Sequence, residues 1–224
     1  VIGRAGVGLD NVDIATATSR GILVCNAPES NVVSAAEHSV ALLLALARNV
    51  AQAHSALIQG RWERSLWTGA ELLSKTVGIV GLGRVGRLVA QRLKGFDVRI
   101  LAFDPFVSSE SARAVNVEMV ELDDLLGQSD FVTVHLPRTP ETVGLFDSAR
   151  FMKFKPGARL VNAARGGVVV EDDLLMALES GHLGGAALDV FDAEPTLDSP
   201  LFARKDVVVT PHLGASTNEA QDRA

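Results

Sequence analysis

The sequence holds a single cysteine, Cys25, among 224 residues, so no internal disulfide can form. That shortage fits a reducing compartment, and the cytoplasm is the expected location. Cys25 ends the apolar stretch Gly21–Cys25 and is expected to be a buried, structural thiol. Long hydrophobic runs are missing too. The longest, Val40–Ala47, falls well short of the roughly 20 residues a bilayer span needs, and Glu37, His38 and Arg48 bracket it. No membrane role is expected. Cationic clusters are also lacking: 21 Lys and Arg stand against 27 Asp and Glu, and they are scattered, which argues against a nucleic-acid footprint. No metal-ligand cluster, internal repeat, low-complexity tract or signal-peptide pattern is visible. The chain begins at Val1, enters strand-like sequence at once, and reads as a piece of a longer protein.

What is there is ordinary globular composition, 47% hydrophobic and 21% charged, in a length that suits one large domain or one domain plus a fragment. From Thr76 onward short β-branched runs alternate with helical patterns. The strand candidates are Val77–Val80, Val98–Phe103, Phe131–His135, Arg159–Asn162, Ala186–Val190 and Val207–Thr210. Amphipathic segments lie between them, such as Arg84–Gly95 with Val85, Leu88, Val89 and Leu93 on one face. Near-continuously apolar strands alternating with helices predict an α/β fold, a doubly wound parallel sheet covered on both faces. This domain is assigned to residues 27–224. Residues 1–26 read as a βα unit plus a strand, a small remnant of a second α/β domain. Ser34-Ala35-Ala36-Glu37 has the spacing of a capping box and predicts one long helix over 34–59. Its surface is apolar on most sides, so neighbours or a second subunit must cover it.

Thr76–Val80 runs into Gly81-Leu82-Gly83-Arg84-Val85-Gly86, a Gly-x-Gly-x-x-Gly after a strand and at the start of a helix. Gly81 permits the tight turn, Gly83 a close backbone approach to a pyrophosphate, and Gly86 tight helix–strand packing. The helix N-terminus offers free N–H groups to phosphates. Glycine turns also occur for structural reasons, but Asp104 stands at the end of the next strand candidate. An acid there accepts both ribose hydroxyls and repels a 2′-phosphate, which favours NAD over NADP. A strand-end turn before Pro105 is the plainer explanation of Asp104. Arg84 is either solvated or a pyrophosphate contact.

Three later segments carry polar residues where strands end, the usual ligand edge of an open parallel sheet. They are Asn162–Gly167 with Arg165, Asp189–Pro195 with Glu194, and Thr210–Thr217 with His212. Singly, each has a dull explanation: a surface ion pair, a turn, a loop histidine. Together, beside the glycine loop, they supply the parts of a hydride transfer.

On these segments, and on Gly3–Asp13, Ser34–Glu37 and Trp62–Arg64, essentially the whole chain resembles the D-isomer-specific 2-hydroxyacid dehydrogenase family. The resemblance implies a Rossmann-like NAD-binding domain and assigns roles. His212 would be the general acid/base, Glu194 would bond its other imidazole nitrogen and help the ring hold a proton, and Arg165 would bind the substrate carboxylate and polarise the 2-keto oxygen. Val7, Val85, Leu136, Ala163, Asp189, Gly214 and Ala215 would lie along the cofactor, Asp189 near the nicotinamide carboxamide. Val7 and Leu136 stand where some relatives carry threonine, so they can contact NAD only by backbone or packing.

Arg4, Gly6 and Asn31 would contact the substrate, and Arg64 would be a phosphate ligand donated by a second subunit or, alternatively, a solvated loop charge. The expected partner is a small anionic substrate, a phosphorylated 2-hydroxy acid, in a homodimer or homotetramer. The alternatives are a relative that reduces unphosphorylated acids, or an NAD-sensing corepressor-like scaffold. His135, His38, His54 and His182 are read as non-catalytic.

Overall fold

In the computed structural model, which describes residues 1–224, seven strands form one parallel sheet. Along the chain a small unit comes first: β1 (Ile2–Arg4), α1 (Ile14–Ser19) and β2 (Val24–Asn26), whose two strands pair only with each other. Two helices follow, α2 (Val32–Arg48) and α3 (Val50–Ile58). Then come β3 (Thr76–Val80), α4 (Arg84–Leu93), β4 (Arg99–Phe103), α5 (Ser109–Arg113), β5 (Glu118–Met119), α6 (Leu122–Gln128) and β6 (Phe131–Val134). The last third holds α7 (Ser148–Phe151), β7 (Arg159–Asn162), α8 (Glu171–Glu179), β8 (Gly185–Leu188), β9 (Val207–Val209) and α9 (Asn218–Asp222).

The spatial order is β5-β4-β3-β6-β7-β8-β9. The order reverses beside β3, which pairs with β4 on one side and β6 on the other. A crevice opens at such a reversal, on the carboxyl edge of the strands. The strands are apolar on both faces because both are covered. Val77, Ile79, Ile100, Ala102 and Val161 face Leu42, Leu43 and Leu46 of α2 and Val89 and Leu93 of α4. Val80, Leu101, Val132, Val134 and Leu160 face Leu125 and Leu126 of α6, Phe151 of α7 and Leu174 of α8.

Several expectations need correction. The helix predicted over 34–59 is two helices, bent by 65° at Asn49, whose left-handed backbone (φ 53°) ends α2. Asparagine tolerates that conformation better than most residues, and no helix propagates through it. The capping box does not form. The helix already begins at Val32, so Ser34 lies inside its first turn and bonds Thr217 Oγ1 at 2.8 Å, while Glu37 pairs with Arg92. Of the two expected covers for the apolar side of α2, neighbours within the chain are seen, namely α4 and the sheet. Cys25 is exposed, because no layer covers the β1–β2 pair. The short edge strand β5 was not anticipated. No single helix is long and apolar enough to cross a membrane; α2 and α3 pass together only by length and composition, and the apolar face of α2 is packed against the sheet.

Candidate active site

Gly81 turns the chain out of β3 with φ 97°, a conformation an L side chain rarely adopts. A Cβ on Gly86 would sit 2.1 Å from the Gly81 carbonyl oxygen, so only glycine lets α4 start this close to the strand. Gly83 caps α4 without a side-chain hydrogen bond and with open space around it. The first N–H groups of α4 are therefore free of side-chain acceptors, and the helix dipole adds partial positive charge. These features fit a dinucleotide pyrophosphate.

Asp104 follows β4. Its Oδ2 accepts from Leu82 N and its Oδ1 from Phe106 N, both at 2.9 Å. The carboxylate thus ties the glycine loop to the neighbouring strand end, and the lone pairs left over remain available to hydroxyls. Arg84 Nη1 donates to the Pro28 carbonyl at 3.3 Å.

A cavity of about 210 Å³ opens beside this loop. It brings together residues from six segments: Val7, Asn31, Val85, Leu136, Ala163, Arg165, His212, Gly214 and Ala215 among those expected, and Ala35, His135, Pro137 and Ala164 besides. His135 is among the histidines expected to be non-catalytic. It lines the cavity half-buried, and burial lowers its pKa to about 4, so the ring is neutral near pH 7.

Arg165 is held from below and from the side. Buried Asn162 donates to the Arg165 carbonyl and accepts from Ala164 N, which fixes the turn after β7. The guanidinium donates through Nη1 to the Ala164 carbonyl (2.7 Å) and through Nε to Asp10 Oδ2 (3.0 Å). Asp10 belongs to the β1–β2 unit, so this ion pair joins the small unit to the cavity wall. Its only sequence signal was its place in Gly3–Asp13.

His212 Nδ1 lies 2.6 Å from Glu194 Oε2, and Glu194 Oε1 accepts from Phe191 N at 2.9 Å. The carboxylate is pinned at one oxygen and orients the imidazole with the other. His212 Nε2 has no protein partner. The turn carrying His212 is left-handed (φ 54°) and folds around Asp189, which is fully buried. Asp189 accepts from Thr210 Oγ1, Leu213 N and Gly214 N at 2.6 to 2.8 Å, and His38 Nε2 lies 3.1 Å from its Oδ1. Burial pushes the Asp189 pKa up, but the bonds from His38, Thr210 and Leu213 outweigh it and leave it below the usual value.

Three expected substrate contacts lie off this cavity. Arg4 and Gly6 sit on the exposed β1 end, where Arg4 bonds the Ala5 carbonyl. Arg64 is exposed in the short turn Arg64–Trp67.

Residues 40–214 match the family described as D-isomer specific 2-hydroxyacid dehydrogenase, NAD binding domain. A D-3-phosphoglycerate dehydrogenase of Mycobacterium bovis is 56% identical over 224 residues, covering 100% of this chain and 42% of that protein. One of Archaeoglobus fulgidus is 52% identical over 222 residues, covering 99% and 42%. An NAD-dependent formate dehydrogenase of Staphylococcus aureus, solved in complex with NAD, superposes with a TM-score of 0.91 at 41% identity, covering 99% of this chain and 67% of that one. The chain thus spans 42% of the length of these two relatives by sequence.

Proposed function

The chain belongs to the D-isomer specific 2-hydroxyacid dehydrogenase family and carries its NAD-binding domain, and from that premise we propose that the whole protein oxidises D-3-phosphoglycerate to 3-phosphohydroxypyruvate, the first step of serine biosynthesis. NAD, when bound, supplies the hydride acceptor. His212 takes the hydroxyl proton at Nε2 and returns it in the reverse direction. Glu194 stabilises the imidazolium that forms and fixes the ring through Nδ1. Arg165 binds the substrate carboxylate with the guanidinium edge that Asp10 and Ala164 leave free, and it stabilises charge on the 2-oxygen.

The observation that carries this reading is the 2.6 Å His212–Glu194 contact, with Arg165 and His212 lining one cavity beside the glycine loop. Val7, Gly81, Gly83, Arg84, Val85, Gly86, Asp104, Leu136, Ala163, Gly214 and Ala215 line the cofactor's path in this reading, and Asp189 supports that path from beneath the turn that carries Gly214. Asn31 contacts the acid from the cavity wall, Arg4 and Gly6 reach it from the small unit only in the whole protein, and Arg64 meets its phosphate from a second copy. A homodimer or homotetramer is supported by the exposed Leu57, Ile58, Trp62 and Leu66 near Arg64. The cytoplasm is the compartment proposed, and residues 1–26 belong to a second domain in the whole protein.

The test is turnover of 3-phosphohydroxypyruvate against hydroxypyruvate with NADH, on the full-length protein. The phosphorylated acid should give the higher kcat/KM. A strong preference for hydroxypyruvate would sink the substrate assignment.

A further inference from the structure

Asp189 is a carboxylate with no solvent exposure, placed under the turn that bears His212. Burying a charge is costly unless donors surround it. Three of its donors, Thr210 Oγ1, Leu213 N and Gly214 N, come from the turn itself. A fourth comes from elsewhere. His38 reaches in from α2, and its Nε2 lies 3.1 Å from both Asp189 Oδ1 and Thr210 Oγ1. The Thr210 hydroxyl spends its proton on Asp189, so it can only accept from His38, and Nε2 must carry a hydrogen shared between the two oxygens.

The turn needs such support. His212 is a non-glycine residue at positive φ, a conformation that persists only where its surroundings enforce it. Besides the three donors to the carboxylate, His212 N donates to the Asp189 carbonyl at 2.8 Å. Four of the bonds that fix the turn therefore converge on Asp189, beside His212 N to the Thr210 carbonyl at 3.1 Å and Thr210 N to the Leu188 carbonyl at 3.0 Å. Its only anchor to a helix is His38, on an element that packs against β8 and β9.

We propose that His38 is a positioning residue: its Nε2–H grips the Asp189 carboxylate and the Thr210 hydroxyl, and through them holds the left-handed turn that presents His212 to the cavity. The proposal rests on the reading of His212 as the proton acceptor, and the test keeps the two separable.

In the full-length protein, His38→Gln places an amide N–H near the position of Nε2, whereas His38→Leu fills the space without a donor. His38→Asn keeps polarity but is too short to reach. Amide hydrogen exchange at Leu213 and Gly214 is measured alongside kcat and KM. The Leu and Asn variants should exchange about tenfold faster at both amides and lose kcat by about the same factor, with KM for the acid changing less. The Gln variant should stay close to wild type in all three. In a His212→Ala background His38→Leu should still speed exchange, whatever His212 does chemically. Wild-type exchange and kcat in the Leu and Asn variants, or a Gln variant as impaired as Leu, overturns the proposal.

Discussion

Single side chains here act through what they hold in place as well as what they touch. Gly8 shows this. A Cβ on it would lie 2.5 Å from Arg165 Nη2 and 2.6 Å from Asp10 Oδ2, both ends of side chains that can move aside. Gly8→Ala should therefore fold normally but push the guanidinium out of place. The expected result is a KM for the acid raised about tenfold, the loss of one charged hydrogen bond, with Tm nearly unchanged. An unchanged KM would mean that Arg165 does not bind the acid from this position. Asp104 carries two duties, since it ties Leu82 N and faces the expected ribose. Asp104→Ala should weaken NAD binding by ten- to a hundredfold, about 1.4 to 2.8 kcal/mol, by calorimetry. Equal affinity in wild type and variant would remove the ribose assignment.

At the scale of elements, α2 does most to fix the sheet against the site, through Leu42, Leu43 and Leu46 on one face and His38 near its start. Leu43 is 1% exposed, and Leu43→Ala should cost about 2–5 kcal/mol in denaturant unfolding through the cavity it leaves. A loss below 1 kcal/mol would show that α2 can settle into the gap. The sheet strands were legible in the sequence because both faces are buried and β-branched runs mark them; Arg159–Asn162 was placed to the residue. β5 escaped because two paired residues carry no periodicity. The break at Asn49 escaped because the apolar pattern of α2 runs on into α3, and one left-handed residue leaves no hydrophobic signal. Ser34 and Glu37 had the right spacing for a cap but the wrong register, which only the hydrogen bond to Thr217 reveals. Within the site, the glycine loop was readable from its motif spacing, and Arg165, Glu194 and His212 from their places after strands, with their roles supplied by the family resemblance. Asp10 and His38 were not, since each acts by a contact across more than 150 residues of chain.

For the molecule as a whole, the parallel sheet places seven strand ends on one edge, so the glycine loop, Asp104, Arg165, Asp189 and His212 all come from carboxyl ends of strands. The same burial that builds the cavity makes stability depend on acid. His135 has a folded pKa of about 4 against an ordinary value of 6.5, so between these values the unfolded chain binds more protons. Its contribution is fully present above pH 6.5 and is lost as pH falls toward 4. His135→Gln should flatten the unfolding free energy over that window, and a slope identical to wild type would show that another group carries it. Asp189, with its lowered pKa, holds its contribution until pH drops below 3.8. The central claim is that His212, oriented by Glu194, moves the proton in a cavity that binds NAD independently of it. It is tested most directly by measuring kcat and calorimetric NAD affinity together on His212→Ala in the full-length protein. kcat should fall by about 10²- to 10⁴-fold with NAD affinity within about threefold of wild type; a variant that keeps its kcat, or loses NAD binding in step with turnover, would contradict the account.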